Sequence, residues 1–237
     1  MENLHRNFAE MVRFRHLAAA PTRSSRDPVL VWAHTRWVEL NDFVTALAEG
    51  IQLADATEPV WVSNRGRTYQ PGIGPHTESA TLGLAFEQFS SMDTGISLER
   101  EVPYPNFPRS KCDLVLGRPA EWAVEVKMLR RMGDNGKPND NILMHILSPY
   151  HQDRSAVTDC DKLLDSGFET RLAIVIYGYD YPDFPMDPAI EAFEVLAERR
   201  VCLRSKVCAS FNGLVHPVHQ EGRVFGWEIA APGPPSD

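Results

Sequence analysis

The residues between Lys111 and Met128 are the ones best spaced to do chemistry: Lys-Cys-Asp-Leu-Val-Leu-Gly-Arg-Pro-Ala-Glu-Trp-Ala-Val-Glu-Val-Lys-Met. Two runs rich in Val, Leu and Trp flank a breaker at Gly117 to Ala120, so the stretch reads as two adjacent strands. Strand alternation puts Glu125 and Lys127 on one face, roughly 6.5 Å apart, and Val124, Val126 and Met128 on the other. With Asp113, at the head of the preceding strand, turned the same way, two carboxylates and one ammonium converge. Hard oxygen ligands with open positions suit Mg²⁺, which keeps several waters and binds one or two carboxylates plus phosphate oxygens. An ammonium beside such an ion polarises a bound water or stabilises charge on a phosphate under attack. This is chemistry for cutting a phosphodiester. An acid-x-Lys triplet also occurs as solvated decoration of a surface strand. The apolar run around it, expected of a strand buried on both faces, argues that the charges are there for a reason.

Asp113 followed by Glu125-Val126-Lys127 on the next strand resembles the PD-(D/E)xK nuclease superfamily, over roughly residues 75 to 180. Cys112 stands where the family often has proline. The resemblance implies an α/β, restriction endonuclease-like core made of a helix, a three-strand meander, a helix and a strand. N-terminal helices and a C-terminal β extension would elaborate it. It further implies Mg²⁺, for which Mn²⁺ can substitute, held by Asp113, Glu125 and the Val126 carbonyl, with Lys127 acting on the attacking water. A helix before the catalytic strands often supplies one more acid in this family, and Glu78 is the residue that resembles it. DNA would be the substrate. Restriction-type relatives often dimerise, so a homodimer stays open. A catalytically silent module that uses the same core to bind nucleic acid or a partner protein is the competing expectation.

The surrounding elements must position these groups. Thr77 to about Met92 has a helical stripe of Leu82, Ala85, Phe86 and Phe89 that includes Glu78 and leaves Glu87 outside. Ser97 to Tyr104 alternates as the strand before Asp113, with Leu98, Val102 and Tyr104 opposed to Glu99 and Glu101. A second helix is expected from about His151 to Leu164, ended by Gly167. Arg171-Leu-Ala-Ile-Val-Ile-Tyr then reads as a buried strand of the parallel kind. Upstream, residues 1 to 20 carry an approximate helical stripe, and Pro28 to Gly50 a longer one through Trp32, Trp37, Leu40, Phe43, Val44 and Leu47. Downstream, Ala189 to Arg200 reads as a helix capped at Asp187, and Val207 to Ile229 as strands around Asn212-Gly213 and Glu221-Gly222. His216 and His219, at an odd offset in an extended segment, would face opposite ways and form no metal site.

These elements divide the chain into an N-terminal helical elaboration, residues 1–74, and a nuclease-like domain, residues 75–237; one compact domain is the alternative. A net charge of −8 works against tight nonspecific binding of a polyanion, so local basic residues carry more of that argument. Arg109 and Lys111 enter the Asp113 strand, Arg130 and Arg131 leave the Lys127 strand, and Gln152 and Arg154 start the following helix, where its dipole favours phosphate. No P-loop, serine elbow or HExxH zinc helix is present. No apolar run approaches a membrane span, and the start Met-Glu-Asn-Leu-His-Arg lacks a signal peptide's pattern, which leads to the expectation of a cytoplasmic protein. The four cysteines, without metal-type pairing, are then expected as buried free thiols.

Overall fold

The computed structural model describes residues 37–58 and 60–233, all within a unit that spans Arg36–Asp237. The stripe expected over residues 1–20 and the start of the helix expected from Pro28 lie outside these residues. In chain order the elements are α1 (Leu40–Thr57), α2 (Glu78–Glu87), β1 (Leu98–Pro103), β2 (Lys111–Leu116), β3 (Trp122–Leu129), α3 (Met144–Leu147), α4 (Ala156–Leu164), β4 (Arg171–Tyr179), α5 (Asp187–Ala197), β5 (Cys202–Asn212) and β6 (Glu221–Ala230). The strands make one mixed sheet in the order β1-β2-β3-β4-β6-β5. Among the described residues only β3 and β4 run parallel, and every other strand pair is antiparallel. A parallel pair needs a crossover, and α3 and α4 supply it.

Alternation on β3 and β4 builds a core on each side of the sheet. Val124, Val126, Met128, Val175 and Tyr177 pack with α1 and α2, while Ala123, Leu129, Ile174 and Ile176 pack with α4 and α5. Glu125 and Lys127 have the parity of the second set, so their charges must be accommodated beneath α4.

Several boundaries differ from those expected. α1 begins only at Leu40 and continues through Gly50 to Thr57. Gly50 is no terminal cap: a side chain there would come 2.7 Å from the Ala85 carbonyl oxygen of α2, so its absence lets the two helices touch. Leu40, Phe43, Val44 and Leu47 are core, whereas Trp37 precedes the helix and is exposed. The helix expected from His151 is a short 3₁₀ turn at His151–Asp153, a left-handed Arg154 (φ 50°), and then α4, capped by Ser155, whose side chain accepts from the Thr158 N–H. Glu221-Gly222 is the start of β6 rather than a turn. α5 includes Asp187 and Pro188 and stops at Ala197. All four cysteines are free, but only Cys112 and Cys160 are buried; Cys202 is half-buried, and Cys208, on the edge strand β5, is exposed. Among the described residues no helix is long and apolar enough to cross a membrane.

Candidate active site

The site begins where β2 and β3 part. Their ladder runs from Leu116–Trp122 to Leu114–Val124 and stops there. One step further the Asp113 carboxylate takes over, accepting the Val126 N–H at 2.8 Å through Oδ2. Across β2 stands Glu101, whose backbone is left-handed (φ 55°) and whose pairing with Asp113 is missing from a β1–β2 register that continues unshifted on either side. The buried face changes at this point on both strands, Leu114 and Cys112 of β2 lying in opposite cores. Leu98 packs against the α1–α2 core, yet Tyr104, six residues on, is buried in the α4–α5 core, where unbroken alternation would have kept both on one side.

A cleft of about 590 Å³ opens at the fork. Asp113, Glu125 and Lys127 line it together with Asp159 and Lys162 of α4; Glu101, Arg109, Ser110, Lys111, His151, Arg154 and Thr158 complete the polar wall. Five of these side chains are Lys or Arg and four are Asp or Glu, so the wall is not acidic although the chain as a whole carries −8.

Glu125 is nearly sealed, with 2% of its side chain exposed. Its Oε1 accepts from the Tyr104 hydroxyl and from Lys162 Nζ at 2.9 Å; its Oε2 lies 4.0 Å from Lys127 Nζ. Lys127 Nζ comes much closer to Asp159 Oδ2, at 2.7 Å, an ionic approach without the alignment of a hydrogen bond. Glu78, half-buried at the head of α2, reaches the same strand from the opposite layer: its Oε2 accepts from the Met128 N–H at 2.5 Å. Burial, reinforced by Asp113 and Asp159, raises the Glu125 carboxyl well above its ordinary range. Burial also raises Glu78, to about 7, against the lowering effect of Lys127. For Lys127 burial pulls the other way but is outweighed by Asp159, Glu78, Asp113 and Glu125, so the ammonium is held more firmly than usual. These are the signs of a cluster with more acid than base.

Of the sequence-predicted residues, the fold brings Asp113, Glu125, Lys127, Arg109, Lys111 and Arg154 to the cleft, with Glu78 anchored to its floor strand. The Val126 carbonyl lies 3.5 Å from Lys127 Nζ. Three of the predicted contacts fall elsewhere. Arg130 donates to the carbonyls of Gly74 and His76 and so ties β3 to the segment before α2. Arg131 donates to Pro185 O and covers the Phe184 ring. Gln152 is exposed and lines no part of the cleft, although its neighbours His151 and Arg154 do. Sequence reasoning missed Tyr104, Asp159 and Lys162. The last two sit three apart beside the apolar stripe of α4, and an acid–base pair flanking a buried stripe was the available signal. Tyr104 carried none, since the face switch at Glu101 is not visible in alternation.

The His216 and His219 expectation needs correction. Their segment is a turn, not a strand, and the two buried rings stack with centroids 4.4 Å apart. His216 Nδ1 accepts the N–H groups of Val218 and His219, and its Nε2 meets Asp134 at 2.9 Å. His219 Nδ1 meets the Tyr181 hydroxyl at 2.7 Å. Both nitrogens of His216 and Nδ1 of His219 are spent on fixing loops, while His219 Nε2 is buried without a partner among the described residues.

Among the described residues no three His, Cys, Asp or Glu side chains stand together as a ready-made metal cage. The donor chemistry of the cleft nevertheless fits a divalent ion: Asp113 and Glu125 are hard oxygen donors, and burial leaves the acids of this cluster short of positive charge. Comparisons of the chain with protein-family models, with curated proteins and with solved structures find no match. The coordinates therefore define a class and no more: a mixed α/β protein with a six-stranded, mostly antiparallel sheet and a charged cleft at the fork of two strands.

Proposed function

We propose that this protein is a metal-dependent nuclease that hydrolyses DNA phosphodiester bonds in the cleft at the β2–β3 fork, on a restriction endonuclease-like core. The observation that carries the reading is the gathering of Asp113, Glu125 and Lys127 in one cleft, from a split antiparallel pair whose second strand runs parallel to β4. The order α2, β1, β2, β3, α4, β4 is that expected of the PD-(D/E)xK core, and it supports the same reading.

Asp113, Glu125 and the Val126 carbonyl would hold Mg²⁺ or Mn²⁺, which would supply charge stabilisation at the phosphate and a more acidic water. The chain's own groups do the rest. Lys127, kept protonated by its acidic neighbours, orients the attacking water and stabilises negative charge on the phosphate; it is a poor proton acceptor in this setting. Tyr104 holds Glu125 in place through its hydroxyl. Glu78 fixes the Met128 backbone and so the end of β3. Arg109, Lys111 and Arg154 bind flanking phosphates.

One observation favours a second reading, a silent nucleic-acid-binding module: Lys127 and Lys162 are both already paired, with Asp159 and Glu125 respectively. Incubation of the protein with plasmid, linear and single-stranded DNA, with Mg²⁺, Mn²⁺ or chelator, separates the two. Metal-dependent cutting that Glu125→Ala and Lys127→Ala abolish supports the nuclease. Binding without cutting supports the module, and cutting unchanged in both variants sinks the assignment.

A further inference from the structure

Lys162 projects from α4 into the cleft, and its ammonium is surrounded by groups that attract cations. Nζ lies 2.9 Å from Glu125 Oε1, 3.9 Å from Asp159 Oδ1 and 4.6 Å from the centroid of the Tyr104 ring. The Glu125 carboxylate depends on it. Lys127 is committed to Asp159 and stands 4.0 Å from Oε2, whereas Oε1 is saturated by Lys162 and the Tyr104 hydroxyl. Oε2 holds no hydrogen-bond donor among the described residues and Glu125 lines the cleft, but a cation that takes both carboxylate oxygens can do so only if a donor on Oε1 leaves. Tyr104 cannot leave cheaply, because its ring is buried against Phe107 and Phe168. Lys127 is 14% exposed and Lys162 is 30% exposed on a long flexible stem, which makes Lys162 the donor that yields.

We propose that Lys162 competes with the divalent ion for Glu125 and, once displaced, becomes a phosphate-binding group in the cleft, a positioning role that rests on the metal-dependent reading above. The two halves follow from one geometry. Its ammonium keeps a buried acid neutralised in the resting protein, and its release adds a cation to the wall that already holds Arg109, Lys111 and Arg154. Binding of the ion and of nucleic acid are thereby coupled through one side chain.

Calorimetric titration with Mn²⁺ alone tests the first half. Wild type binds Mn²⁺, and Asp113→Asn loses that binding. Lys162→Met binds Mn²⁺ about fivefold tighter or more, since the competitor is gone. Lys162→Gln does the same and serves if the methionine variant folds poorly by circular dichroism, while Lys162→Arg returns affinity toward wild type. Binding of a DNA duplex in Ca²⁺ tests the second half: Lys162→Met weakens it and lowers the slope of log affinity against log salt by about one. Unchanged or weaker Mn²⁺ binding in both neutral variants, with wild type binding through Asp113, overturns the role of Lys162 and leaves the nuclease reading intact. Absence of any Asp113-dependent Mn²⁺ binding in wild type overturns both.

Discussion

Among the described residues, two groups of buried polar side chains are built on opposite terms. At the loops beside α1, Asp55 accepts the N–H groups of Ile73 and Val215, and His216 accepts two more while facing Asp134. The rings of Tyr179, His219 and His216 stack in sequence above them. Most polar atoms of that group have a backbone or loop partner, and what it does is tie distant segments together. At the β2–β3 fork, by contrast, Glu125 and Asp159 share two lysines, and a cleft that Asp113 also lines gives access to them. Burial of charge is therefore no mark of a site by itself; unbalanced charge within reach of solvent is.

The sharpest break in this comparison comes from removing one group on each side. Lys127→Ala is expected to lower metal-dependent DNA cleavage about 100- to 1000-fold, measured as the rate of plasmid relaxation. A residual rate within tenfold of wild type would place the chemistry elsewhere. Asp55→Ala acts on stability instead: the buried Ile73 N–H and the part-buried Val215 N–H lose their acceptor, and urea unfolding should show a loss of about 2 kcal/mol, with cleavage per folded molecule preserved.

The two groups should also answer pH with opposite sign. Glu78 has its carboxyl raised from 4.5 to about 7 by burial, so the folded chain holds a proton that the unfolded chain releases. Its contribution is present below about pH 4.5 and is lost as pH rises through 7. His219 is pushed down from 6.5 to about 3 by burial and by His216 and Arg130, so its contribution is present above pH 6.5 and is lost as pH falls through 3. Thermal unfolding from pH 3 to 8 should flatten on the neutral side in Glu78→Gln and on the acid side in His219→Phe. The same slope in either variant as in wild type would contradict its assignment. The smallest contrast lies among the arginines: Arg154→Ala, at the cleft, should weaken DNA binding a fewfold, and Arg131→Ala, on Phe184, should leave it within about twofold, as read by fluorescence anisotropy.

The sequence made the central strands readable because β2, β3 and β4 alternate or run apolar without interruption, and Glu125 and Lys127 share a face for the same reason. What escaped it depended on local breaks in regularity. At the level of the left-handed Glu101 the buried face changes, so that Tyr104 lies opposite Leu98, and a turn replaced the extended segment assumed for His216 and His219. Lys162 and Asp159 escaped because a helix flank names no target until the sheet beneath it is known. The parting of β2 from β3 was equally hidden, since only three dimensions show a side chain standing in for a ladder bond.

The bare backbone of Gly50 against Ala85 reaches further than its own helix pair. α2 rests directly on α1 at that point, and Glu78 at the head of α2 holds the end of the strand that carries Lys127. The distance between two helices, set by a missing methyl group, is in this way a spacer for the Lys127 amine on the other side of the sheet.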